Sequence, residues 1–244
     1  MITLEVCAGS ISSAIEAEKG GAIRVELCDN LAQGGTTPSK GEIDKTRQLI
    51  DIKLNVLIRP REGDFLYNDI EFEIMKEDIR QCGLSGCDGV VFGILTAEGK
   101  VDIERNNELV NIARQYNMSA TFHRAFDRCA NLPESMEDII KLGCDRILTS
   151  GGKVSATEGK NIIRELIEKA KERIIIMPGG GITENNISEL VKATNLTEFH
   201  GSFRSRVKGD MEYISPIFND ENEEYSILQT DAKKVKKAIE NANE

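Results

Sequence analysis

Eight times along this chain a short apolar run gives way to an amphipathic stretch. That alternation limits the fold more than any single motif does. The runs cover residues 2–7, 23–28, 54–59, 89–92, 118–123, 146–149, 173–177 and 197–200. Their length suits strands. The stretches between them read as helices: 68–82 places Ile70, Phe72, Met75, Ile79 and Cys82 at spacings of three and four, and 102–116 does the same with Ile103, Leu109, Val110 and Ala113. Punctuation agrees. Gly20 and Gly21 close the first helix, Pro133 stands where a first turn would begin, and Ser155 with Glu158 has the form of a capping box before 161–170. Strand and helix repeated eight times over 244 residues predicts an α/β TIM barrel, (β/α)8, as one domain spanning residues 1–244. An open doubly wound sheet is the alternative, but no GxGxxG follows the first strand. Residues 201–230 depart from the pattern. They form a long, polar excursion without a clear helix, before a basic helix over 230–242.

Charge and composition exclude several classes. With 41 acidic against 31 basic residues the net charge is −10, which disfavours a nucleic-acid footprint built from clustered cations. No apolar run approaches the ~18 residues of a membrane span. The opening residues lack the basic and apolar regions of a secretory signal. Six cysteines and two histidines then point to free thiols in a reducing, cytoplasmic setting. The Cys82-x4-Cys87 spacing is poor for structural zinc. Cys82, Cys87, Cys129 and Cys144 are read as packing.

The interesting chemistry lies on the inward faces of the strands. Side chains alternate along a strand, and helices cover the aliphatic face from outside. In the first strand Glu5 and Cys7 therefore point into the barrel, and in the second Arg24, Glu26 and Cys28 do so. The same alternation turns Arg59, His123, Glu198 and His200 inward. A barrel interior normally fills with Val, Ile and Leu. Buried carboxylates must instead pair, with Arg24 or Arg59 the available cations, or bind something, or stay wet. Glycine-rich loops follow strands two, six and seven, at Gly34-Gly35, Gly151-Gly152 and Gly179-Gly180-Gly181. Backbone N–H groups in such loops can approach an anion. An anion site on Gly151, Gly152, Gly180, Gly181 and Arg204 is expected at the C-terminal end of the strands. If Cys7 and Cys28 lie in register, their sulfurs sit about one strand spacing (~4.8 Å) apart, within reach of a soft ion bridged at ~2.3 Å on each side. The alternative for these thiols is that each is a small buried hydrophobe. The sequence leaves their alignment open.

Several of these segments are long enough to be distinctive. Glu5-Val6-Cys7, Glu26-Leu27-Cys28, Gly34-Gly35-Thr36-Thr37-Pro38, the stretch from Arg59 through Phe65, Thr121-Phe122-His123-Arg124-Ala125-Phe126, the stretch from Met177 through Ile182, and Glu198-Phe199-His200 together resemble the CutC family, named for copper homeostasis. The resemblance runs from residue 2 to about 206. It implies a TIM barrel, a cytoplasmic location, a homodimer or homotetramer, and a Cu(I) site on the positions that correspond here to Cys7 and Cys28. A copper carrier needs thiols but not the remaining charged groups of the mouth. A second reading therefore stands beside it: an enzyme or sensor acting on a small anionic, phosphorylated metabolite. In that reading the phosphate sits on the glycine loops and Arg204. His123 is acid and base near its ordinary pKa, Glu5 or Glu26 is its partner, and Arg59 neutralises developing negative charge.

Overall fold

In the computed structural model, which describes residues 1–215, 217 and 225–244, the eight runs become eight parallel strands. These are β1 (Thr3–Ala8), β2 (Arg24–Leu27), β3 (Lys53–Leu57), β4 (Gly89–Phe92), β5 (Ser119–Phe122), β6 (Arg146–Thr149), β7 (Ile175–Pro178) and β8 (Glu198–Gly201). Hydrogen bonding runs in the order β7-β6-β5-β4-β3-β2-β1-β8, and β7 lies against β8 across the remaining seam. The helices α1 (Ile11–Lys19), α2 (Lys40–Leu49), α3 (Asp69–Leu84), α4 (Ile103–Gln115), α5 (Leu132–Leu142), α6 (Lys160–Ala170), α7 (Ile187–Thr194) and α8 (Ala232–Asn243) accompany them. The architecture is a TIM barrel.

Local chemistry sets the helix starts. Ser10, Ser39, Asp102 and Asn131 each accept a first-turn backbone N–H, and Asn68 with Glu71 forms a reciprocal capping box at α3. One cap lies elsewhere than expected. Ser155 and Glu158 do bond one another, but they close a turn that precedes α6, which begins after Gly159 with no side-chain cap. The excursion after β8 also differs from a plain irregular loop. Arg204–Lys208 (β9) and Ser226–Thr230 (β10) pair as an antiparallel ribbon. Residues 216 and 218–224 lie outside the described residues, so the expectation of no helix there is untested. From β10 the chain enters α8. There Asn243 bonds both main-chain groups of Ile2 and ties the last helix to the first strand.

The aliphatic face of every strand, with residues such as Leu4, Val6, Val25, Leu54, Val56, Val90 and Ile147, is buried in the core between sheet and helices. The other face points into the barrel and holds Glu5, Arg24, Glu26, Asn55, Thr121 and His200. Gly89 belongs to that interior. A Cβ there would lie 2.4 Å from Asn55 Oδ1 and 2.3 Å from Ser119 Oγ, so the polar interior needs a residue without a side chain at this point of β4. Among the described residues no helix is long and apolar enough to cross a membrane.

Candidate functional site

The barrel interior carries two polar layers. The lower one starts from register: Glu5 stands opposite Arg24 on one side and His200 on the other. Arg24 Nε donates to Glu5 Oε2 and its Nη2 to Glu198 Oε2. Arg146 grips the same Glu198 with Nε at 2.8 Å and Nη2 at 3.3 Å. Asn55 Nδ2 adds a bond to Glu5 at 3.3 Å. Burial alone would raise the Glu5 carboxyl, but Arg24 and then His200 outweigh it, and its pKa falls to about 2. Glu198 is lowered in the same way by Arg146 and Arg24, against the burial that would raise it. These carboxylates are paired anions. Glu5 is partnered by Arg24 and His200, and neither it nor Glu26 pairs with His123.

The upper layer is different. Cys7 stands opposite Glu26 in register. Cys28 lies two residues further on, just past the end of β2, and the two thiols approach diagonally. Their Sγ atoms are 3.6 Å apart. His200 Nδ1 is 2.9 Å from Glu5 Oε1, and its Nε2 lies 3.5 Å from Glu26 Oε2. The ligand atoms of Cys7, Glu26 and His200 all fall within 4.8 Å of one another. The hydrogen bond from Cys28 is the largest influence on Cys7. It and His200 overcome burial and bring the Cys7 thiol down to about 5. The Cys28 thiol is correspondingly raised by its bond to Cys7 and by burial. His200 is held protonated: burial opposes its charge, but Cys7, Glu5 and Glu26 outweigh it. Glu26 is raised well above a carboxylate's usual range by burial and by the neighbouring Cys7. The layer therefore presents a thiolate, an imidazolium and a neutral carboxyl beside a second thiol.

His123 and Arg59 complete the mouth. With Cys7, Glu26, Cys28 and His200 they line a cavity of about 110 Å³. Burial, then the Arg59 charge, lowers His123 to about 3. This ring is neutral where the acid/base reading needs a pKa near the ordinary value. Arg59 spends both terminal nitrogens on main-chain carbonyls: Nη1 on Gln33 at 3.1 Å and Gly35 at 2.7 Å, and Nη2 on Gly63 at 2.9 Å. It clamps the loops after β2 and β3 together.

The glycine loop after β6 also differs from expectation. Gly151 and Gly152 both have positive φ and form a nest, but the nest is occupied from within. Asp127 accepts from Gly152 N at 3.0 Å, Ser150 N at 3.0 Å, Ser150 Oγ at 2.9 Å and Arg124 Nε at 2.7 Å. Gly151 N is taken by Thr149 Oγ1. The carbonyls of Gly180 and Gly181 accept from Ala156 N and Asn186 Nδ2. Arg204 belongs to β9, where its carbonyl accepts Lys234 Nζ, and it does not line the mouth cavity. Asp127 carries no periodic signal in the sequence; it follows β5 in a single 3-10 turn (Phe126–Arg128). His200 was legible as inward-facing, but its place beside Cys7 depends on β8 pairing with β1. Of the remaining thiols, Cys82, Cys87 and Cys144 are buried and Cys129 is half-buried, bonding Ala125 O.

Fold and site together define a class: a TIM barrel whose strand ends gather two thiols, an imidazole and a carboxyl around one small cavity. The chain belongs to the CutC family, whose model matches residues 2–205. It is 46% identical over 237 residues to the human copper homeostasis protein cutC homolog, covering 96% of this chain and 86% of that one. It is 48% identical over 210 residues to a CutC family protein of Chromobacterium violaceum, covering 86% and 84%. A crystal structure of a copper homeostasis protein CutC from Streptococcus agalactiae superposes with a TM-score of 0.79 at 38% identity, over 83% of this chain and 99% of that one. Phosphoribosylanthranilate isomerase from Thermotoga maritima shares the fold at 12% identity and a TM-score of 0.58.

Proposed function

We propose that this protein takes part in copper homeostasis by holding Cu(I) at the barrel mouth, with Cys7 and Cys28 as thiolate ligands and His200 as the neighbouring nitrogen donor. The observation that carries the reading is the 3.6 Å separation of the two sulfurs beside that imidazole. Two bonds of ~2.3 Å span at most ~4.6 Å, so one ion can touch both sulfurs in a bent arrangement without moving the strands. Soft thiolates select Cu(I), and a Cys7 thiol already lowered to about 5 gives up its proton readily. Glu26, held neutral, adds no competing hard anion. Metal entry would release the Cys28 proton and the Nε2 proton of His200, which frees that nitrogen for the ion while Nδ1–H stays on Glu5. The working setting is the reducing cytoplasm, where both thiols persist, and the assembly is a homodimer or homotetramer.

The test is an anaerobic titration of the reduced chain with Cu(I) against a calibrated chelator, repeated with Zn²⁺. One Cu(I) per chain, lost in Cys7→Ser and in Cys28→Ser and weakened about tenfold or more in His200→Phe, is expected. Unchanged stoichiometry in either cysteine variant, or Zn²⁺ bound in preference to Cu(I), would overturn the reading.

A further inference from the structure

The mouth cavity has a second set of polar atoms that metal binding leaves unused. His123 is 5% exposed. Its Nδ1 accepts the Ala125 N–H at 3.2 Å, so the neutral ring carries its proton on Nε2. That Nε2 is buried and has no hydrogen-bond partner. Arg59, also 5% exposed, lines the same cavity. Three carbonyls hold its terminal nitrogens, while its Nε has no partner. The Tyr67 hydroxyl faces the same guanidinium and makes no other hydrogen bond. Phe65 covers both groups, its ring 4.9 Å from that of His123 and 5.2 Å from Arg59 Cζ. Leaving a buried N–H unsatisfied costs about 1–3 kcal/mol. Two such donors in one enclosed space, one of them on a fixed guanidinium, therefore form a site that wants an acceptor.

We propose that the barrel-mouth cavity binds a small carboxylate, two to three carbons long, through the Nε2–H of His123 and the Nε–H of Arg59. On this side of the cavity His123, Arg59 and Arg124 offer N–H donors or positive charge, which selects an anion with acceptor oxygens. A carboxylate suits two separate N–H groups better than a single-atom anion does. Size sets the length. A cavity of about 150 Å³ holds benzene, so about 110 Å³ admits roughly five heavy atoms. A nucleotide or sugar phosphate is excluded. Phe65 supplies the apolar cover that keeps the pairing dry, and Arg124, which also lines the cavity, adds a further positive charge that draws an anion in. The site does not depend on a metal. Its donors are distinct from Cys7, Cys28 and His200.

Only two histidines occur in the chain, so ring ¹⁵N spectra of a histidine-labelled, chelator-treated protein contain two imidazoles, assigned by comparison with His123→Phe. Glycolate, with five heavy atoms, is the probe, and glycolamide is its neutral counterpart. The expected result is a saturable displacement of the His123 Nε2 resonance by glycolate, at an affinity at least about tenfold above that for glycolamide. Calorimetry on His123→Phe should show glycolate binding weakened by a similar factor. No saturable displacement, as for a cavity holding water only, or equal affinities for the two probes, would overturn the proposal. The comparison of probes on the native chain decides the matter even if the variant does not fold. Because no metal is present in the titration, failure here and failure of copper binding are separate results.

Discussion

In the lower polar layer of the barrel, Glu5 and Glu198 meet Arg24 and Arg146, and these charged groups close on one another, with the Oδ1 of Asn55 left over. In the upper layer, about two residues further along the same strands, Cys7, Glu26, Cys28, His200 and His123 share a cavity and leave atoms without partners. Both layers bury charge, and burial is costly unless the charges are matched. The lower layer meets that cost by equal numbers of opposite charges and can serve as a floor. In the upper layer a thiolate faces an imidazolium while two N–H groups face nothing. Function is therefore assigned where leftover N–H groups and thiols line a cavity, rather than by the presence of buried charge.

The sharpest way to break this comparison is Arg24→Met. It removes the one cation that touches both Glu5 and Glu198 and leaves a side chain of similar length. Arg146 still holds Glu198, and His200 still holds Glu5, but one carboxylate is left underpaired in the interior. A loss of about 3–5 kcal/mol in unfolding free energy is expected, measured by urea denaturation. A loss below about 1 kcal/mol would mean that water, not Arg24, satisfies the lower layer.

A second contrast lies between the nest after β6 and the mouth cavity. The nest has the form of an anion site but contains the chain's own carboxylate. Asp127→Ala should cost about 2–3 kcal/mol through the donors it strands. It should also create a stabilisation by inorganic phosphate that the native chain lacks, seen as a rise in Tm with phosphate concentration. A native chain stabilised by phosphate to the same degree would return the anion to Gly151 and Gly152.

These contrasts also mark how far the sequence could be read. The eight strands were legible because the face each turns to the helices needs aliphatic residues at every second position. The inward set Glu5, Cys7, Glu26, Cys28, Arg59, His123 and His200 was legible because the pleat has period two. Partner choice was not. Arg24 and Glu198 are 174 positions apart and meet only because the ring closes β8 onto β1. Cys7 and Cys28 both follow the pattern Glu-x-Cys, which suggests aligned thiols, yet the register places Cys7 against Glu26. The loop glycines promised a phosphate cradle, but whether a nest is empty depends on a side chain from another loop, here Asp127. His123 reads as an acid/base in sequence because its ordinary pKa is near neutral, and only its depth beside Arg59 removes that role.

His123 supplies the smallest and most selective effect. Its pKa lies at about 3 in the folded chain against 6.5 ordinarily, so between those values the unfolded chain binds a proton that the folded chain refuses. The contribution of this ring to stability must then fall as pH drops below 6.5, at a slope approaching 1.4 kcal/mol per unit. Between pH 6.5 and about 5.5 this amounts to roughly 1 kcal/mol. Two other groups titrate across this window with opposite signs: Cys7, lowered to about 5, refuses a proton that the unfolded thiol keeps, and Glu26, raised well above 4.5, keeps one that the unfolded carboxyl has lost. Glu5 is lowered from 4.5, so its contribution is present above that value and is lost only in more acid solution. His200 is raised above 6.5, so its contribution is complete below 6.5 and fades as pH rises through its higher folded value. Urea unfolding across that unit of pH should therefore be read as a difference: the native chain should lose roughly 1 kcal/mol more than His123→Phe, in which the Cys7 and Glu26 contributions remain. An unchanged slope in the variant would mean that the ring is hydrated and the mouth cavity open to water, and the difference drawn between the two layers would then be one of access rather than of unfilled valence.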